Sequence, residues 1–82
     1  MPVIARFYGI IIRMYFREHG VAHFHALYGE HVAVFAIQTL EKIEGNLPPR
    51  AERLVREWSA QHQAELQEMW DSHTFRQLPG LD

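Results

Sequence analysis

Ile10-Ile11-Ile12-Arg13-Met14-Tyr15-Phe16-Arg17, then Glu18-His19-Gly20, then Val21-Ala22-His23-Phe24-His25-Ala26-Leu27-Tyr28, is the stretch on which the fold of this chain turns. Both outer runs are rich in β-branched and aromatic residues and are divided by a glycine-bearing segment, the signature of a hairpin. Two registers compete. A two-residue turn at His19-Gly20 pairs Phe16 with His23 and Met14 with His25, which puts both imidazoles on the face of Ile10, Ile12, Met14 and Phe16. A three-residue loop over Glu18, His19 and Gly20, with Gly20 left-handed, pairs Tyr15 with His23 and Arg13 with His25. One face then reads Ile10, Ile12, Met14, Phe16, Ala22, Phe24, Ala26 and Tyr28. The other reads Arg13, Tyr15, Arg17, His23 and His25, with Ile11 and Leu27 at its margin. A slip of one residue exchanges the faces completely. Burying two imidazoles among hydrocarbon side chains costs on the order of several kcal/mol unless each finds a hydrogen bond. The three-residue loop is therefore the expected one.

Outward from this hairpin, Val3 to Phe7 can pair with it and closes at Gly9. His31 to Ile37 follows a Gly-containing turn, and Leu40 to Glu44 reads as a short edge strand. Gly45-Asn46-Leu47-Pro48-Pro49 then breaks the pattern. Beyond it Ala51, Leu54, Val55, Trp58, His62, Leu66, Met69 and Trp70 recur at three- and four-residue steps, one stripe of a helix. Pro49 suits the first helical turn, where a missing N–H costs nothing. Glu52–Arg56 and Arg53–Glu57 stand four apart, and the charges Arg50, Glu52, Arg53, Arg56 and Glu57 are expected in solvent. A helix from about 49 to 72 would be roughly 36 Å long, against about 23 Å for a seven-residue strand. It must kink near Ser59-Ala60-Gln61 or overhang the sheet. An overhanging half would offer Leu66, Met69 and Trp70 to a partner. The predicted fold is α+β: a small antiparallel sheet of three to five strands packed against one long or kinked C-terminal helix. Residues 1–82 form a single domain, with the sheet in 1–45, the helix in 46–74 and a tail over 75–82 that is expected to fray unless a partner orders it.

The 82 residues suit one domain. With 48% apolar and 22% charged residues the composition is that of a globular chain, which argues against disorder. Cysteine is absent, so disulfide scaffolds and zinc–thiolate sites are excluded. Apolar runs are too short to cross a bilayer and no signal segment opens the chain, which points to a cytoplasmic setting. A net charge of −2 is too balanced for a protein that coats nucleic acid over its whole surface. Its distribution is uneven: Arg6, Arg13 and Arg17 oppose only Glu18 in residues 1–28, which also carry His19, His23 and His25, whereas the segment from 46 onward is acidic.

His23 and His25 alternate on one strand, so their rings project the same way from Cα atoms roughly 7 Å apart. Two imidazoles can serve as acid and base. The guanidinium groups of Arg13 and Arg17 can hold a phosphodiester and stabilise added negative charge. Tyr15 can stack on a base or donate a hydrogen bond. Together these are a minimal kit for metal-independent RNA cleavage, with no cofactor required. Three other readings stand beside it. The face is simply the solvated side of a two-faced sheet; or it grips an acidic partner segment; or His23 and His25 hold a metal ion with His19 or His31 as a third ligand. His62, on the apolar stripe, is expected at the edge of the core with one hydrogen bond.

Arg6-Phe7-Tyr8-Gly9-Ile10-Ile11-Ile12, then His23-Phe24-His25-Ala26 with Tyr28-Gly29-Glu30, then Thr39-Leu40-Glu41 leading to Gly45-x-Leu47-Pro48 and a Trp-bearing helix, resemble the small bacterial family DUF4160 over nearly the whole chain. The resemblance implies a gene set beside one for a small protein of DNA-binding character, an arrangement similar to toxin–antitoxin pairs. It therefore implies a cognate partner protein; the apolar helix surface read above adds a second copy of the chain as a candidate partner, and the Arg/His face adds RNA. The toxin role follows as the leading expectation, and a non-enzymatic interaction or regulatory protein as its alternative. The resemblance assigns no catalytic residue. Val21-Ala22 stand where relatives carry prolines, which loosens the turn without touching the site, and Phe35 stands in a strand that is commonly more polar there.

Overall fold

The computed structural model describes residues 3–15 and 20–81. Five strands form one antiparallel meander in the order β1 (Val3–Phe7), β2 (Ile10–Arg13), β3 (His23–Tyr28), β4 (His31–Ala36) and β5 (Lys42–Gly45). Two helices follow, α1 (Pro49–Gln61) and α2 (Gln63–Ser72). The α+β class and the single antiparallel sheet are as expected.

The first turn explains the start of the sheet. Phe7 pairs with Ile10 across Tyr8-Gly9, and both turn residues have positive φ, 48° and 81°. That is the signature of a type I′ hairpin, whose twist matches that of its strands. Gly9 adopts this backbone freely, whereas a tyrosine there costs about 1 kcal/mol.

Alternation along the strands sorts the two faces. Ile10, Ile12, Met14, Phe24, Ala26, Ala33, Phe35 and Ile37 are buried on one side. α1 lies across them, and its Trp58 ring packs 5.5 Å from Phe7 and 6.2 Å from Phe24, centroid to centroid. Ala51, Val55 and Trp58 on α1 are buried at the helical spacing read from the sequence. The proline pair starts this helix as expected, with Glu52 N–H donating to the Pro48 carbonyl.

Of the two outcomes expected for the long helix, a kink near Ser59-Ala60-Gln61 or an overhang, the kink is found. The helix breaks at His62, whose N–H reaches back three residues to the Ser59 carbonyl at 3.2 Å. Gln63 Nε2 then donates to the carbonyls of Ile37 and Gln38 at 2.7 and 2.8 Å. These bonds tie the start of α2 to the turn after β4. Leu66 and Met69 consequently enter the chain's own core, fully buried, and Trp70 packs half-buried against it. This corrects the expectation of a free apolar surface at Leu66, Met69 and Trp70: the spare length is folded inward.

The tail differs from expectation as well. Leu78 is buried, its N–H donates to the Ile4 carbonyl at 2.7 Å, and Trp58 Nε1 donates to the Pro79 carbonyl at 2.8 Å. The tail thus covers β1 and satisfies the buried indole without any partner. Nor is the outer side of α1 wholly solvated. Glu52 is part-buried and joins Lys42 of β5 at 3.1 Å and Arg56 at 3.2 Å, while Arg56 Nη1 donates to the Leu40 carbonyl at 2.6 Å. The i,i+4 pair expected at Glu52–Arg56 is present and also clamps the helix to the edge strand.

Candidate functional site

β2 and β3 align Ile10 with Tyr28, Ile11 with Leu27, Ile12 with Ala26 and Arg13 with His25. This is the register of the three-residue loop, and the Arg13–His25 pair follows from it directly. Gly20 has the positive φ expected of it, 93°; Phe16, Arg17, Glu18 and His19 lie outside the described residues, and so do the rest of the loop and the role assigned to Arg17.

His23 and His25 are half-buried on the side of the sheet away from α1. Their ring centroids are 5.3 Å apart. Tyr15 lies two residues past the end of β2, and its ring stands edge-on to His25 with centroids 4.6 Å apart, rather than opposite His23. The strand ends at Arg13, which frees Tyr15 from the ladder and lets it lean toward the nearer imidazole. On the other flank Trp70 of α2 stands 4.9 Å from His23. Four rings therefore run in a row: Trp70, His23, His25, Tyr15.

His23 Nδ1 lies 2.8 Å from the Val21 carbonyl. A carbonyl only accepts, so Nδ1 carries the hydrogen, and in that tautomer Nε2 is the basic nitrogen of the ring. Holding one ring nitrogen on a backbone carbonyl fixes both tautomer and orientation, as is usual for working histidines. Arg13, across from His25, supplies a fixed positive charge next to the pair. The arrangement can bind an anion between imidazoles and guanidinium and move protons on and off it.

Of the two residues expected as a third metal ligand, His19 lies outside the described residues and His31 stands apart. His31 pairs with Tyr28 at the opposite end of β3 from His23, and among the described residues no three His, Asp or Glu side chains are grouped to hold an ion. His62 is as expected for a core-edge histidine: Nδ1 meets Glu65 Oε1 at 2.6 Å and its ring lies 5.1 Å from Trp58. Among the described residues no helix is long and apolar enough to cross a membrane.

Trp70 was readable only as a residue of the apolar stripe. Its place beside His23 depends on the break at His62 and on the Gln63 anchors, which join residues more than twenty apart and leave no local signal. The same outer face carries an apolar row: Ile11, Leu27 and Val32 align across three strands with Arg6 at its end on β1, and Val32 is exposed.

A family model described as a domain of unknown function (DUF4160) matches residues 9–71, from the first turn through most of α2. No curated protein and no solved structure matches the chain.

Proposed function

We propose that this chain, which belongs to the DUF4160 family, is the active half of a bacterial two-protein module and cleaves RNA through the Arg/His face. The observation that carries this reading is the bond from His23 Nδ1 to the Val21 carbonyl, with the His25 ring 5.3 Å away. His23 Nε2 is the base. It takes the proton of a ribose 2′-hydroxyl, the O2′–P bond forms, the P–O5′ bond breaks, and His25 in its protonated form gives its proton to the leaving 5′ oxygen. The products are a 2′,3′-cyclic phosphate and a 5′-hydroxyl, and no electron or further reactant enters. Arg13 stabilises the charge that builds on phosphorus oxygens in the transition state. Tyr15 and Trp70 flank the imidazoles and offer ring faces to neighbouring bases.

A second reading rests on a different observation. The row of half-buried Ile11 and Leu27 and exposed Val32 lies beside the histidines on the same face, and apolar surface rimmed by charge is what a protein interface uses. In that reading the chain is a regulatory or neutralising protein and the histidines are part of the contact.

Expression of the chain alone in a bacterial host separates the two. The nuclease reading expects growth arrest, relieved by His23→Ala with His25→Ala at equal protein level. Harmless expression of the wild-type chain contradicts it.

A further inference from the structure

On the helix side of the sheet, away from the histidines, a cavity of about 200 Å³ opens between the first turn and the start of α1. Ile10, Ala51 and Leu54 make its apolar wall, and Tyr8, Tyr28 and Arg50 stand around them. We propose that this cavity binds a planar aromatic ring carrying an adjacent anionic group, the chemistry of a nucleoside monophosphate.

Four features lead there. Tyr8 occupies a left-handed turn position, φ 48°, which ordinarily takes Gly, Asn or Asp, and the residue is nevertheless 53% exposed. A bulky residue kept in a strained conformation with its ring in water is accounted for by something the ring touches, and strained residues concentrate at ligand clamps. Tyr28 leans over Gly9, so that a Cβ added there would meet its Cε1 at 3.4 Å, and it too is exposed. Two tyrosine rings thus border one apolar recess of a size that suits a single ring system rather than a drug-sized ligand. Arg50 is the third feature. It sits in the first turn of α1, where a cation gains least from the helix, and it forms no ion pair or hydrogen bond with a described residue. A phosphate beside Arg50 matches that charge. The last feature is separation: the recess shares no residue with the Arg13, His23 and His25 group, so the inference stands whether or not that group is catalytic.

The test is an NMR titration of the full chain with adenosine monophosphate, adenosine, inorganic phosphate and a single-stranded oligoadenylate. Adenosine monophosphate is expected to shift Tyr8, Tyr28, Arg50 and Leu54 saturably. Tyr8→Ala should weaken binding about tenfold, the usual scale of a lost base–aromatic stack. Arg50→Gln should bring the monophosphate down to the affinity of adenosine. Tyr8→Gly guards against a folding artefact: it should raise the melting temperature while weakening binding. Oligoadenylate binding well above the monophosphate assigns the site to a strand of RNA, and equal binding assigns it to a free nucleotide. No saturable shift at these residues up to about 10 mM, or equal affinity in the wild type and both Tyr8→Ala and Arg50→Gln, overturns the proposal.

Discussion

The indole of Trp70, on α2, lies 4.9 Å from the imidazole of His23, on β3. A residue from the last helix therefore completes a face otherwise built from the central hairpin. Because the indole braces a ring that must hold its tautomer and direction, Trp70→Ala should do more than lower stability. Loss of a part-buried aromatic is expected to cost about 2–3 kcal/mol. RNA cleavage measured well below the new melting temperature should fall as well, and Trp70→Phe should restore most of both. Unchanged cleavage in Trp70→Ala would remove the indole from the site.

Leu66 provides a different check. It is fully buried in the core, so Leu66→Ala should destabilise the chain by about 2–5 kcal/mol in urea denaturation. A residue on a free docking surface would change stability by less than about 0.5 kcal/mol.

The tail makes a third expectation. Removing residues 77–82 deletes the buried Leu78 and leaves Trp58 Nε1 without its Pro79 acceptor. An unsatisfied buried donor alone costs about 1–3 kcal/mol. Gly80→Ala should act in the same direction, because the added Cβ would come within 2.6 Å of the Arg6 carbonyl oxygen and 2.8 Å of Phe7 Cβ. Thermal unfolding of both variants reads this; a midpoint equal to the wild type's in the truncated chain would show that the tail does not contribute.

Acid should loosen the clamp between β5 and α1. The hydrogen bond from Lys42, aided by Arg56 and opposed by partial burial, holds the Glu52 carboxyl below its ordinary value of 4.5. A carboxylate whose pKa is lowered by folding stabilises the folded state above its unfolded pKa, and that contribution is lost as pH falls through the folded value. Glu52→Gln should therefore cost about 1 kcal/mol or less at pH 7, as part-exposed ion pairs do. As pH falls through the folded value the difference between variant and wild type should shrink, which denaturation curves across an acid series would show.

The hairpin and the helix were readable for different reasons. Only one alignment of Ile10–Tyr28 buries Ile12, Met14, Phe24 and Ala26 together, so burial alone chose the register and set Arg13 against His25. The helical stripe through Ala51, Val55 and Trp58 was equally local. The break at His62 was half legible: helix length asked for a kink near Ser59-Ala60-Gln61 or an overhang, but what chose the kink are side-chain bonds from Gln63 to carbonyls of a turn after β4. Leu66 and Met69 therefore looked like a surface and are core, and Trp70 looked like part of the same surface and is beside a histidine. Tyr15 shows the limit at finer scale: pairing arithmetic set it opposite His23, but the strand ends two residues earlier and its ring meets His25 instead.

The most direct measurement is cleavage of a fluorescent oligoribonucleotide by the purified chain in the presence of EDTA, with the product ends identified. The account expects a 2′,3′-cyclic phosphate and a 5′-hydroxyl, with a rate that falls on both sides of an optimum pH. It expects a loss of at least about 100-fold in the His23→Ala, His25→Ala double variant, whose circular dichroism should match the wild type's. No cleavage by the wild type, or a double variant as fast as the wild type, would contradict it.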